Sequence, residues 1–291
     1  MQGIINIFKN KGMTSFDVVR IVKRLAKTKK VGHTGTLDPE ACGVLPVAIG
    51  KATKIIDYIM DSDKVYEVSF MLGEVRDTYD LEGKIISQKD TSHLKKQDVL
   101  EGIKKFTGEY MQVPPMYSAL KQNGVRLYDL ARQGIEVERK GRKVNIKCID
   151  NIEIKMPYVK MRVCCTKGTY IRSLCFDIGE YLNVGAVMTD LKRTKTSVFD
   201  EENSINIADL TEENIFNYVI SIDDALSKYP KLTVKNKYAK LLQNGVNVFD
   251  TRLTSEEVQE NQLYRVYNEE DLFLGLGEKG KKGFKLQKLL V

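Results

Sequence analysis

Four side chains in this sequence combine a reactive type with a setting that chemistry can use. Asp38 lies between Leu37 and Pro39 inside Val31–Gly50, VGHTGTLDPEACGVLPVAIG, which holds four of the chain's 21 glycines and two of its six prolines. The following proline disfavours the α region and keeps Asp38 extended, while Gly35 and Gly43 let a ligand approach the backbone. A carboxylate fixed in such a loop can act as nucleophile or base. Asp-Pro is equally a common turn dipeptide, so ordinary turn chemistry accounts for the same residues. Glu40 is too near in sequence to be taken as the second carboxyl of a glycosidase-like pair, which needs about 5–10 Å between the groups. Arg172 borders the apolar stripe of a helix instead of opposing it, and a guanidinium there calls for a buried anion. Tyr66 points the same way as Val68 and Phe70, the usual place of a core tyrosine. His33, in Gly-His-Thr-Gly, could meet nucleic acid through a G-x-x-G loop.

The elements that must hold these residues follow from capping and periodicity. Thr14-Ser15-Phe16-Asp17 is a capping box, and Val18, Val19, Val22 and Leu25 continue it at helical spacing to about Lys27. The glycine-dense stretch 31–50 is expected to be largely loop, with a helix over about 52–60. Lys64–Leu72 and Val159–Cys165 alternate as strands. Helices are predicted near 95–106 and 127–132, around the loop QVPPMYSALKQNG. Thr169 is expected to cap a helix with the stripe Ile171, Leu174, Cys175, Ile178 and Leu182. Strands and helices mix without a βαβ rhythm, which predicts an α+β fold. After Tyr229-Pro230, alternations at Leu263–Tyr267, Leu272–Leu276 and Phe284–Leu290, the last two joined by the turn-like GEKGKKG, predict a small β-rich domain. The expected division is 1–230 and 231–291.

Composition narrows the chemistry. The chain has 291 residues, 29% charged and 42% hydrophobic, a globular balance. No apolar run approaches the ~18 residues of a membrane span, and Lys9 and Lys11 arrive too early for a secretory signal, so the expected location is cytoplasmic, away from membranes. Five cysteines without ordered spacing predict free thiols. His33 and His93 are the only histidines and have no ligand at zinc spacing, so no metal is expected. Gly43–Lys51 (GVLPVAIGK) has six residues between its glycines where a phosphate loop has four, and Ala52 stands where a Mg²⁺-binding hydroxyl belongs. No nucleotide cofactor is expected, and an enzyme of this sequence would work with side chains alone.

Charge points to the partner. Lys9–Lys30 carries eight basic residues against Asp17, and Lys121–Lys147 eight against three acids, whereas 200–227 carries eight acids and no Lys or Arg. A basic face and an acidic face are expected. Tyr117, Tyr128 and Tyr170 sit in or near basic segments, an arrangement suited to stacking bases.

The run GHTGTLDPEACGVLPVAIGKATK resembles the catalytic motif of the TruB family, bacterial tRNA pseudouridine-55 synthases. GMTSFDVV, VPPMYSALK, LARQGIEVER, KGTYIRSL and LKRT are similar to the family's other blocks, in order, over roughly 4–199. The resemblance implies a catalytic domain on a mixed, mainly antiparallel sheet flanked by helices and loops. It implies a reaction in which a T-loop uridine of tRNA loses its C1′–N1 bond, turns, and rejoins through C5. The resemblance makes Asp38 the catalytic aspartate, Tyr66 the ring stacked on the target base and a catalytic group for removing the C5 proton, and Arg172 the ion partner of Asp38. Tyr170 and Leu191 line the uracil pocket, and His33 occupies the space of the extruded nucleotides. The first step of Asp38 is attack at C1′, addition to C6, or removal of the C2′ proton. The last sixty residues resemble a PUA-type RNA-binding domain through GLGE, and the protein is expected to act as a monomer on the T arm. A tRNA-folding chaperone, with modification secondary, is the alternative from another class. Three positions depart from the family pattern: Asn10 stands where a proline is usual, and Tyr79 and Ser197 stand where a glycine is.

Overall fold

The computed structural model describes residues 2–291 and is an α+β protein. In chain order its elements are β1 (Gly3–Lys9), α1 (Ser15–Leu25), β2 (Val31–His33), β3 (Cys42–Ile49), α2 (Ile56–Met60), β4 (Lys64–Leu72), β5 (Glu74–Arg76), β6 (Ile85–Gln88), α3 (Lys96–Lys105), β7 (Gly108–Gln112), β8 (Lys121–Gln122), β9 (Val125–Arg126) and α4 (Leu127–Arg132). There follow β10 (Arg142–Lys155), β11 (Tyr158–Cys165), α5 (Ile171–Tyr181), β12 (Ala186–Thr196), β13 (Phe199–Asp200), β14 (Ile205–Asn206), β15 (Val219–Ile220), α6 (Ile222–Ala225), β16 (Lys231–Thr233), α7 (Asn236–Gln243), β17 (Leu263–Tyr267), β18 (Phe273–Gly280) and β19 (Gly283–Leu289). Two compact units interleave in sequence: residues 2–39, 44–61 and 197–291 form one, and 40–43 with 62–196 the other. Residues 231–291 fall within the first unit. Among the described residues no helix is long and apolar enough to cross a membrane.

In the first unit the capping box forms as its residues predict. Asp17 donates its backbone N–H to the Thr14 hydroxyl at 3.1 Å, and Thr14 donates its own to the Asp17 carboxylate at 2.8 Å. Hydrogen bonds from Thr14 hold that carboxyl down at about 2. Val18, Val19, Val22 and Leu25 are buried, leaving Arg20 and Arg24 outside. The ring of Phe16 is exposed, with Arg20 and Lys23 about it. The stretch 31–50 is not largely loop. β2 and β3 occupy most of it as an antiparallel pair, because Val44–Ile49 is an uninterrupted apolar run that is buried throughout. The expected helix over 52–60 opens as a 3-10 segment, Gly50–Ile55, and becomes α-helical only at Ile56.

β1, β3 and α6 share a core of Ile4, Val44, Ala48, Ile55 and Leu226 that also takes in Leu276 and Leu290. The four-stranded sheet β16-β17-β18-β19 has a further core with α7, built on Leu232, Tyr238, Leu242, Val266 and Phe284. Its β18 and β19 run on to Gly280 and from Gly283, so Lys281 and Lys282 alone make the turn within GEKGKKG. The acidic segment does not stand apart from the basic helix, for Glu212 pairs with Lys27 at 2.8 Å.

The second unit is built on the antiparallel order β12-β4-β11-β10-β7. Tyr66, Val68, Phe70 and Leu72 are buried in strict alternation along β4, matched by Val159, Met161, Val163 and Cys165 on β11. The buried stripe of α5 covers that face through β12 and β4. Thr169 does not cap α5. The cap position is Tyr170, without a side-chain cap of its own, and the Thr169 hydroxyl donates to the Thr166 carbonyl at 2.9 Å instead.

Two of the three departures, Tyr79 and Asn10, acquire compensating contacts. Tyr79 and Ser197 both have left-handed backbone, φ +64° and +55°, where glycine is free of strain. Tyr79 gains a partner in return, its ring stacked on Phe176 with centroids 4.1 Å apart. Ser197 gains none, and its buried hydroxyl has no hydrogen-bond partner. Asn10 forms a reciprocal amide pair with Asn206 at 3.0 and 3.1 Å, which proline could not make. Ser197→Gly is therefore expected to stabilise the protein by about 1 kcal/mol, relief of strain and of the unpaired hydroxyl exceeding the added chain entropy. A urea melt with an unchanged or lower midpoint would contradict this.

Candidate active site

Asp38 lies half-buried in the loop from β2 to β3, and the residues on both sides of it are pinned. The Ser15 hydroxyl donates to the Leu37 carbonyl at 3.1 Å and accepts the Leu37 N–H at 2.9 Å. The Pro39 carbonyl accepts from the Gly12 N–H and from the Lys9 ammonium, each at 3.1 Å. Lys9 is fully buried and also donates to the carbonyls of Asn10 and Met13. Its charge therefore serves the interior and not a basic face, with its donors used as burial requires. His33 ends β2, and its Nδ1 accepts the Gly35 N–H at 3.2 Å, which places the proton of the neutral ring on Nε2. His33 and Asp38 are thus mounted on one loop whose backbone is held from inside its own unit.

The other predicted residues lie in the second unit. Tyr66 on β4 is 7% exposed and pairs in register with Arg193 of β12, itself 1% exposed. Leu191 pairs with Val68, so Tyr66, Leu191 and Arg193 project from one sheet face. Gly43 pairs in parallel with Arg193 and has φ +107°. A Cβ there would lie 2.2 Å from the Arg193 carbonyl oxygen, so only glycine lets the strands approach.

Tyr170 and Arg172 begin α5 above that face. Arg172, 6% exposed, donates through Nη1 to Asp80 and to the Thr78 carbonyl at 3.1 Å each, and through Nη2 to the Tyr117 carbonyl at 3.0 Å. The anion that its position calls for includes Asp80, whose other oxygen accepts from the Thr78 hydroxyl at 2.6 Å. Gln112, fully buried at the end of β7, donates to the Tyr170 carbonyl at 3.0 Å and accepts its N–H at 2.8 Å. Tyr66, Leu191, Tyr170 and Arg172 therefore belong to one face of one sheet and the helix over it.

Residues 23–171 match the N-terminal domain of the TruB family pseudouridylate synthases, and residues 172–227 match the tRNA pseudouridylate synthase B C-terminal domain. The chain belongs to the TruB family. It is 62% identical over 292 residues to a protein of Clostridium perfringens (strain SM101 / Type A) named tRNA pseudouridine synthase B, covering 100% of this chain and 99% of that one. A protein of the same name from Clostridium tetani (strain Massachusetts / E88) is 53% identical over 291 residues, covering 100% of both. Among solved structures, the chain is similar to one in a crystal structure of a Cbf5-Nop10-Gar1 complex, with TM-score 0.76, 27% identity, and 99% and 85% of the two chains covered. TruB-family membership makes the chain a pseudouridylate synthase, an isomerase.

The hold of Lys9 and Ser15 on the backbone beside Asp38, and that of Asp80 and Gln112 on Arg172 and Tyr170, escaped the sequence reading. Lys9 reads as one more residue of a basic run, and its burial is visible only in the fold. Asp80 had a usable signal, because Arg172 beside an apolar stripe announces that an acid must meet it.

Proposed function

We propose that this chain isomerises uridine 55 in the T loop of tRNA to pseudouridine, as a cytoplasmic monomer without a cofactor, with Asp38 as its catalytic aspartate. The observation that carries the reading is the whole-chain match, at 62% identity, to a protein named tRNA pseudouridine synthase B. In this reading the uridine leaves its stack, at a cost of a few kcal/mol that stacking on Tyr66 and contacts from His33 offset. Arg172 is the ion partner of Asp38, while Tyr170 and Leu191 line the uracil pocket. The C1′–N1 bond breaks, the uracil turns and C1′–C5 forms; the C5 proton leaves to solvent and N1 gains one, so nothing is oxidised or hydrolysed. The pinned Leu37 and Pro39 support the role of Asp38, since catalysis gains most from a group held in place before substrate arrives. The sheet of residues 231–291 serves as a PUA-like RNA-binding surface outside the T loop.

The test is tritium release from [5-³H]uridine-labelled tRNA, with release at one position and no free uracil as the expected result. Absence of release from tRNA that the protein binds would remove the isomerase reading in favour of a folding role. Binding itself is expected to weaken steeply with salt, log K falling by about 0.7–0.9 per tenfold salt for each phosphate contacted. A flat affinity from low to moderate salt would contradict an electrostatic docking surface.

A further inference from the structure

We infer that Gln112 is a positioning residue for the isomerisation: its buried amide fixes the backbone of Tyr170 and thereby aims both the Tyr170 ring and the Arg172 guanidinium. The inference rests on the roles given to those two residues above. An α-helix begins with N–H groups that have no partner inside the helix, and α5 has no side-chain cap of its own. Gln112 reaches in from β7, 58 residues away in sequence, and binds both polar atoms of one peptide residue, N–H and C=O. One residue on, the Val113 carbonyl accepts from the Ser173 hydroxyl at 3.0 Å, so the end of β7 is tied to the first turn of α5 twice.

The orientation of the amide is fixed by a chain of donors. Gln112 Nε2 also donates to the Tyr110 hydroxyl, which in turn donates to Asp177 Oδ2 at 3.3 Å. Asp177 accepts, Tyr110 passes the direction on, and the Gln112 amide is left with its nitrogen toward the Tyr170 carbonyl. Burial raises the Asp177 carboxyl to about 6 and pushes the Tyr110 hydroxyl well above its usual range, so above neutral pH the chain keeps one polarity. Every member lies on the same unit as Tyr66 and Leu191.

Gln112→Leu and Gln112→Glu, assayed by steady-state tritium release, test this. Gln112→Leu removes the clamp. Its kcat is expected to fall on the order of 10- to 100-fold with KM nearly unchanged, because the residue aims other groups without touching RNA. In Gln112→Glu the neutral acid restores one donor and one acceptor to Tyr170, and the ionised form cannot donate. Burial and the acidic neighbour Asp177 raise the new carboxyl's pKa, with Tyr110, Tyr170 and Cys175 the other titratable groups near it and Arg142, its register partner on β10, the nearby cation. Its activity relative to wild type is therefore expected to decline from pH 7 to pH 9, above the range in which Asp177 titrates. Ionising a buried carboxyl also destabilises the fold, so activity is expressed per folded protein, with the folded fraction measured by circular dichroism at each pH, and a role in folding alone then leaves the ratio flat. A flat ratio, or a Gln112→Leu protein that folds and turns over at the wild-type rate, overturns the inference; should Gln112→Leu not fold, the pH ratio of Gln112→Glu decides. Wild-type tritium release reports on the isomerase reading independently, so failure of either is distinguishable from failure of the other.

Discussion

Asp38→Asn is expected to abolish tritium release, lowering turnover by at least about 10³-fold, while affinity for tRNA stays near wild type. Asparagine fills the same space and leaves the pins on Leu37 and Pro39 untouched, since those bonds use backbone atoms of the neighbours and the side chains of Ser15 and Lys9. What it removes is a carboxylate able to attack carbon or accept a proton. In the proposed reading binding rests on phosphate contacts elsewhere, which a neutral substitution in the loop is not expected to cancel. Filter binding alongside the tritium assay separates the two quantities. Turnover at the wild-type rate would remove Asp38 from the chemistry, and loss of binding with loss of turnover would make it a docking residue.

Arg172→Ala is expected to lose activity and also to destabilise the fold by about 3–5 kcal/mol. Arg172 satisfies two buried carbonyls and pairs with Asp80 at 3.1 Å, so alanine strands a carboxylate that has little access to water. Denaturant unfolding measures this directly, and the double variant Asp80→Ala, Arg172→Ala should be less destabilised than the sum of the single changes, because the stranded charge has gone. Strict additivity would mean that the pair contributes nothing through its charges. Arg172→Lys keeps the charge but loses the planar fork that serves Asp80, Thr78 and Tyr117 together, so partial stability with low turnover is its expected outcome.

Much of this molecule was fixed by local pattern. The capping box at Thr14, the alternation of β4 and β11 and the helix at 127–132 follow from short-range rules of period and cap, and the structure forms each of them. Asp38, Arg172, Tyr170, Leu191 and His33 could be named because they stand inside contiguous blocks that resemble a family, and Tyr66 because it lies on the alternating strand Lys64–Leu72 between those blocks. Local pattern failed where an element's identity depends on what lies beside it. Glycine and proline made 31–50 read as loop, yet Gly43 is there because a strand passes against Arg193, a neighbour invisible from position 43. Thr169 had the right type for a cap, but its hydroxyl donates back to the Thr166 carbonyl and the backbone at the start of the helix is held by Gln112 from another strand. The partners of the buried polar groups were decided by tertiary structure alone. Asp80 meets Arg172 across 92 residues and Lys9 meets Pro39 across 30. A buried charge or amide must find a partner wherever the topology supplies one, so sequence states the need and only the fold determines which residue answers it.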